Sequence, residues 1–412
     1  AMELTTTGSG GAIGAYALHI NTTGLQNIAI GYGALDTNTT GGYNVAIGWL
    51  AMDGNSTGDR NVAVGRNALT AVGDSSLSAN TTASNNTALG VNALGANTTG
   101  ASNTAVGKGA LDANTTASYN TAVGLDALST NTTGANNTGL GKDALFANST
   151  GASNVAVGYK ALEDHTSSYT VAIGGEALTN NTTGGNNVAL GFRTLHTNTT
   201  GASNVAIGYD ALYTNNADNN IAIGHNALYA NTTGGYNCAF GSFSLDANTT
   251  ASFNSAFGYG SLSANTTGAS NTAIGEQALN ANTTASGNTA VGKEALQVNT
   301  TGHSNTAVGG YALDAATTAH YNTALGYNSL TKITTTGHCT AIGNHSQYEN
   351  LSGARATSVG SQALYNLTTG DDCVAVGYNA LSTNSTGADN TALGSYALNA
   401  NTTASYNTAV GA

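Results

Sequence analysis

A 17-residue period constrains this chain more than any other feature. The motif Asn-Thr-Ala-Val-Gly, as in residues 103–107, recurs in 24 copies that align on its glycine. Of the 23 intervals between successive motif glycines, 20 are 17 residues long, two are 16 and one is 25. The consensus unit reads N-T-A-V-G-x-x-A-L-x-A-N-T-T-G-A-S. A fixed period of this length is typical of repeat architectures, in which each unit is stable only when it stacks on its neighbours.

Two apolar columns run through the repeat. Val, Ile, Leu or Phe precedes the motif glycine in every copy, and Leu follows that glycine by four positions in nearly every copy. Gly, Asn-Thr-Thr runs and β-branched residues disfavour helix and favour short strands joined by turns. The sequence therefore predicts an all-β fold, a parallel β-solenoid (β-roll) of about 25 coils. We expect its structural core columns to include Val106, Gly107, Leu111, Val123, Gly124, Leu128, Ile274, Gly275 and Leu279.

The repeat runs without a linker, so we interpret residues 1–412 as one continuous array. The 25-residue interval contains an A-V-G-x-x-S-L-x-A segment at residues 71–79, which we interpret as an extra, shortened half-repeat. Residues 338–373 form an irregular stretch in which Gln347 interrupts the Leu column. The last residues and the first residues join almost in register, and this complementarity predicts head-to-tail stacking of subunits. A fragment of a longer array is the alternative.

The predicted core is thin, because it has only two large apolar residues in each 17. Burying them contributes about 4–6 kcal/mol per coil, whereas ordering 17 residues costs about 20–25 kcal/mol. Ladder hydrogen bonds and contact with partner chains must supply the remaining free energy. We expect the small Ala column to face those partners, which favours a homotrimer over a monomeric solenoid.

Composition excludes several classes of function. The chain carries a formal net charge of −12 with only nine scattered Lys and Arg residues, so no basic stripe is present for nucleic acid. No apolar run approaches 18 residues, so no membrane insertion is expected. Proline is absent and only 7% of residues are charged, unlike a disordered chain. No P-loop, paired carboxylates or zinc-protease motif occurs, and we expect no enzyme activity and no cofactor.

Histidine and cysteine give weak signals. His303 and His320 share one column in adjacent coils and His338 lies one position away in the next, so stacked imidazoles are weak metal-site candidates.

Cys339 and Cys373 share a column two coils apart. Coils about 4.8 Å apart would separate this pair by about 9–10 Å, too far for a disulfide. Free thiols are therefore expected.

Asparagine and tyrosine recur in the predicted turns. Asn-Thr-Thr forms a glycosylation sequon in most units, although we favour a structural role for it in turns and side-chain ladders. Tyrosines follow the motif glycine or precede the motif Asn in many units, where their rings are expected to be exposed. Exposed rings could stack on sugars or on neighbouring fibres.

The run N-[TV]-A-[IV]-G-x-x-[AS]-L resembles the head repeats of trimeric autotransporter adhesins. Its longer form, N-T-A-[VI]-G-x-x-A-L-x-x-N-T-T-G, is similar to repeats of bacteriophage-type tail-fibre proteins. The resemblance covers essentially the whole chain and implies a parallel β-roll, trimeric assembly and an exposed adhesive or spacer role. The adhesin heads use a shorter unit, however, and this sequence contains no coiled-coil stalk or chaperone domain.

These observations predict a structural or adhesive fibre segment that is extracellular, at a cell surface or on a virion. Its expected partner is itself, as a homotrimer or a head-to-tail filament, with host-surface glycans as a further possibility. An ice-binding solenoid that uses threonine ladders is the first alternative, and a carbohydrate-binding adhesin is the second. Ice binding would need two outward threonine columns on one flat face, whereas the paired threonines of Asn-Thr-Thr are adjacent.

Overall fold

The computed structural model describes residues 9–69 and 81–411. Within these ranges the chain contains short strands and turns and no helix, so no helix is present that could cross a membrane. The extra half-repeat at residues 71–79 lies outside the described residues. The chain divides into two compact units, Ala1–Asn204 and Val205–Ala412.

The first unit contains eleven described strands, each paired in parallel with the next one along the chain. They are β1 Gly10–Ile13, β2 Asn27–Ile30, β3 Val45–Ile47, β4 Val62–Val64, β5 Thr87–Leu89, β6 Thr104–Val106, β7 Thr121–Val123, β8 Thr138–Leu140, β9 Val155–Val157, β10 Val171–Ile173 and β11 Val188–Leu190.

The second unit contains thirteen described strands with the same parallel, sequential pairing. They are β12 Val205–Ile207, β13 Ile221–Ile223, β14 Cys238–Phe240, β15 Ser255–Phe257, β16 Thr272–Ile274, β17 Thr289–Val291, β18 Thr306–Val308, β19 Thr323–Leu325, β20 Thr340–Ile342, β21 Thr357–Val359, β22 Val374–Val376, β23 Thr391–Leu393 and β24 Thr408–Val410.

Within each unit, each strand pairs in register with the equivalent strand of the next coil. In β6 and β7, for example, Ala105 lies opposite Ala122 and Val106 lies opposite Val123. The prediction of a parallel β-solenoid with a repeat of about 17 residues is therefore confirmed. The described residues contain 24 strands, compared with the 25 coils expected from the sequence.

The interior is filled by small alanines and, in nearly every coil, by one leucine. Ala105 at the centre of β6 and Leu111 after it are both fully buried, as are Leu128 and Leu279 of the predicted core. A Cβ atom built on Gly139, which takes the alanine position in β8, would lie 3.4 Å from the Leu128 side chain. The space between the strand and the leucine column therefore admits a methyl group and little more.

The predicted orientation of the strands is wrong. Val106 is half-buried, and Val123 and Ile274 are 37% and 42% exposed, so this aliphatic column points out of the solenoid. The alanine between the outward residues points inward, because side chains alternate along a strand and the narrow interior admits only the methyl group. The alanine column therefore does not face a partner chain.

The turn after each strand has an unusual backbone. Gly107, Gly124 and Gly275 of the predicted core lie half-buried at this corner with φ between +133° and +141°. The leucine four residues later is left-handed in coil after coil, with φ of +52° at both Leu111 and Leu128. Its main-chain N–H bonds along the stack, as in the 3.0 Å bond from Leu111 to the Ala127 carbonyl. Left-handed residues therefore let a tight turn keep its amides paired with adjacent coils.

Two columns of asparagine line the interior. Asn114 of one Asn-Thr-Thr segment donates from Nδ2 to Asn97 Oδ1 of the previous coil at 2.7 Å and to the Ala117 carbonyl at 3.1 Å. Asn103 of the strand motif accepts the main-chain N–H of Asn120 at 2.9 Å and donates to the same Ala117 carbonyl at 2.9 Å. These buried amides satisfy backbone groups that the turns leave unpaired.

Gln347 replaces leucine within the irregular stretch and is fully buried. Its Nε2 donates to Ser358 Oγ at 3.0 Å, and its Oε1 accepts from Asn350 Nδ2 at 3.0 Å. Ser358 occupies the inward alanine position of β21, and its hydroxyl also bonds that of Ser346. One interior polar cluster therefore replaces the usual Leu–Ala contact, and the strands on either side remain in register.

Candidate assembly face

The outer face of the parallel sheet is the most extensive candidate site in each unit. We call this surface the outer sheet face, and it consists of the first and third residues of each three-residue strand. The last residue, which is the third in a three-residue strand, is Val, Ile, Leu or Phe in every described strand. Several of these side chains are 36–48% exposed although they lie in the middle of a sheet, among them Ile274, Leu325, Val359 and Leu393. Contiguous exposed apolar surface of this extent marks an interaction site.

Charge is excluded from the outer sheet face. Within the described residues, no strand contains Asp, Glu, Lys or Arg, and all charged side chains lie in the turns. Ion pairs form there between coils, such as Lys332 Nζ with Glu349 Oε2 at 2.6 Å and Arg355 Nε with Asp372 Oδ1 at 2.7 Å. Depletion of charge together with exposed aliphatic residues is the composition of an interface core.

The predicted histidine candidates form a stack. The rings of His303 and His320 lie 4.1 Å apart, and His320 Nδ1 accepts the main-chain N–H of His303 at 3.0 Å. His338 instead stacks on Tyr321 at 5.1 Å. Partial burial and the two neighbouring imidazoles lower the pKa of His320. The described residues hold no group of three or more His, Cys, Asp or Glu side chains placed to bind one metal ion.

The three cysteines are free, as predicted. Cys339 and Cys373 are buried in the strand-motif asparagine column, where each thiol donates to a glycine carbonyl at 3.2 Å. They therefore replace asparagine as hydrogen-bond donors. Cys238 differs, because it is the first residue of β14 on the outer sheet face and is only partly buried. This partial burial raises the pKa of its thiol.

Tyrosines project from the turns, as predicted for Tyr32, Tyr159, Tyr209 and Tyr378. In several coils the rings stack on one another along the solenoid, for example Tyr213 on Tyr229 with centroids 5.2 Å apart and planes 13° apart. Such stacking covers the ring faces that a sugar would contact and leaves the ring edges exposed.

The sequon residues have structural roles. Asparagines of the Asn-Thr-Thr segments are fully buried in most coils, so their amides are inaccessible to a glycosylating enzyme in the folded chain. The first threonine donates its hydroxyl to a carbonyl of the next coil, as Thr98 does to Thr115 at 2.7 Å. The second threonine of each pair is exposed.

Comparison with known proteins finds no matching family model and no similar curated protein. The geometry of the described residues is therefore the main basis for a functional proposal.

Proposed function

We propose that this chain is a structural fibre segment whose solenoids associate laterally through their outer sheet faces. A single observation carries the proposal: the last residue of every described strand is a large apolar side chain, and no described strand carries a charge. Assembly would bury this surface, which supplies the apolar contact that the narrow interior lacks. We assign the chain a mechanical role and no catalytic one.

A homotrimer about an axis along the stack is the assembly that we favour. The resemblance of the repeat to adhesin heads and tail-fibre repeats supports this number of chains and supports a location at a cell surface, outside the cell or on a virion. Head-to-tail stacking would extend the same fibre. The exposed turns, which carry the charges and tyrosines, would then face solvent and any glycan or other surface that the fibre contacts.

Sedimentation of the purified chain over a wide concentration range tests the proposal. Wild type is expected to form a discrete oligomer, whereas the double variant Ile274→Lys, Leu325→Lys should remain monomeric because assembly would bury uncompensated charge. The matched control is the double variant Ser361→Lys, Ser395→Lys, which adds the same charge at the turn position that Lys108 and Lys293 occupy in their own coils. A monomeric wild type, or a lysine double variant that assembles like the control, would contradict the proposal.

A further inference from the structure

The outer sheet face of the second unit is nearly uniform, which creates a problem of alignment. In most of its strands the first residue is Thr, Val or Ile and the third is Val, Ile or Leu. Sliding one copy past another by one coil, about 4.8 Å, would therefore exchange like contacts for like contacts. A uniform face gives affinity but little preference for one register.

Two adjacent strands break this uniformity. Phe240 in β14 and Phe257 in β15 are the only third-position aromatics among the described strands. Their rings stack with centroids 5.4 Å apart and planes 7° apart, and each ring is nearly two-fifths exposed. They form one ridge on the outer sheet face.

The same two strands have small first residues, Cys238 and Ser255. All the other three-residue strands, β3–β13 and β16–β24, begin with Thr, Val or Ile, each of which carries a branched Cβ. A notch therefore lies beside the ridge at the same two levels of the stack. Each of these two strands thus combines one large and one small outer residue. The summed volume of its two outer side chains therefore stays close to that of the neighbouring strands.

This pairing has a direct meaning if copies associate by rotation about an axis parallel to the stack. Rotation keeps each strand at its own level and brings the third position of one copy towards the first position of its neighbour. Phe240 would then meet the neighbour's equivalent of Cys238, and Phe257 would meet that of Ser255. An inverted copy would place Phe at other levels, or against Phe, where no notch is available.

We propose that the ridge of Phe240 and Phe257 and the notch of Cys238 and Ser255 form a register key. The key aligns copies of the chain in parallel and at the same level, and it disfavours slipped pairs because each slip drives a phenyl ring against a β-branched residue. This inference rests on the proposed lateral association and adds the alignment of the partner.

Complementary variants test the key. Cys238→Ile with Ser255→Ile fills the notch, and Phe240→Ala with Phe257→Ala removes the ridge. Each double variant alone should associate at least tenfold more weakly than wild type, measured by sedimentation. An equimolar mixture should recover part of the lost association, because two of the three contacts in a mixed trimer are complementary: the filled notch of one copy faces the missing ridge of the next, and the intact ridge faces an open notch.

Thr289→Ile with Thr306→Ile is the matched control, since it adds similar bulk at first positions away from the ridge and should associate like wild type. Circular dichroism and thermal unfolding establish that each variant is folded. A monomeric wild type would overturn both the proposed function and the key. If wild type associates but the notch-filled variant binds equally well, or if the mixture recovers nothing, the key alone is overturned.

Discussion

At each motif glycine the backbone of one coil lies against the backbone of the next, with φ between +126° and +143°. A Cβ atom on Gly124 would lie 2.4 Å from the Gly141 carbonyl oxygen, which is backbone and has no room to move. Both the conformation and the contact exclude a side chain. The glycine column is therefore a condition for coils to stack at β-sheet spacing.

We expect Gly124→Ala to lower the free energy of unfolding by more than about 3 kcal/mol, because it combines a steric overlap with a glycine-only conformation. Gly139→Ala, in the adjacent coil, is the matched control: it restores the inward methyl group of the consensus and should raise stability by about 0.5–1 kcal/mol. Urea unfolding followed by circular dichroism measures both. Equal effects of the two substitutions would contradict this account.

Asp314 makes stability depend on pH. Its Oδ1 is buried without a hydrogen-bond partner, and burial, with a smaller contribution from Glu294, raises its pKa to about 6. The folded pKa exceeds the unfolded value, so ionisation destabilises the fold at pH 7 and protonation relieves this as pH falls through 6 towards 4. Asp314→Asn should therefore gain on the order of 1 kcal/mol at pH 7, after allowance for partial exposure, and almost nothing at pH 4.

Urea midpoints at pH 4 and pH 7 measure this difference. Asp372→Asn is the control with the opposite sign, because the Arg355 guanidinium lowers the pKa of Asp372 and stabilises its ionised form. This control should lose stability at pH 7 and differ less from wild type as pH falls through the lowered pKa. A gain from Asp314→Asn that is equally large at both pH values would rule out ionisation as its cause.

At the scale of the element, the turn after each strand contains left-handed residues that are not glycine. The core leucine at the fourth position has φ near +52° while its side chain fills the interior. A left-handed backbone is costly for a side chain and more so for one branched at Cβ. This explains why the column holds leucine, although the interior would accommodate isoleucine by volume.

Leu128→Ile is accordingly expected to cost about 3 kcal/mol of unfolding free energy. Leu367→Ile is the matched control, because Leu367 is equally buried but does not have a positive φ, and Ile333 occupies the same column. It should cost about 1 kcal/mol. Thermal unfolding and urea titration of the two variants distinguish a backbone effect from a packing effect, since both exchanges conserve volume.

The sequence predicts the elements well, because a strict period of 17 fixes which residues pair between coils. It does not predict which side of the strand is buried, because alternation at Val106, Ala105 and Thr104 is the same whichever side faces inward. We chose the larger residues for the core and were wrong. The informative signal is uniform size: the alanine column hardly varies, whereas the outer positions range from Ser to Phe.

The interior polar cluster at Gln347 was also missed. The sequence shows only that Gln347 interrupts the leucine column, whereas the structure pairs it with Ser358 at the inward position of the following strand. The sequence does contain two exceptions in adjacent coils, Gln347 in the leucine column and Ser358 in the alanine column. Contacts of this kind depend on which columns face each other, and that arrangement is not contained in the linear period.

At the scale of the whole molecule, each unit places different residue types in its interior, on its outer sheet face and in its turns. Alanine, leucine and asparagine fill the interior, aliphatic residues and threonine cover most of the outer sheet face, and charged residues and tyrosines occupy the turns. A surface that repeats a large apolar residue in every described strand can bind a second copy along its length, so small contributions from single strands add up. The turns remain free to vary because they contribute little to that contact.

The three cysteines report on assembly without any mutation. Cys238 lies on the outer sheet face, whereas Cys339 and Cys373 are buried inside. In dilute solution a maleimide should label one thiol per chain. At concentrations that drive association, labelling of Cys238 should slow at least tenfold, and Cys339 and Cys373 should react only in urea.

Ser395→Cys in a Cys238→Ser background is the control and should label at the same rate at both concentrations, because the turns stay exposed. Equal labelling of Cys238 in dilute and associated samples would show that copies meet through a surface other than the outer sheet face.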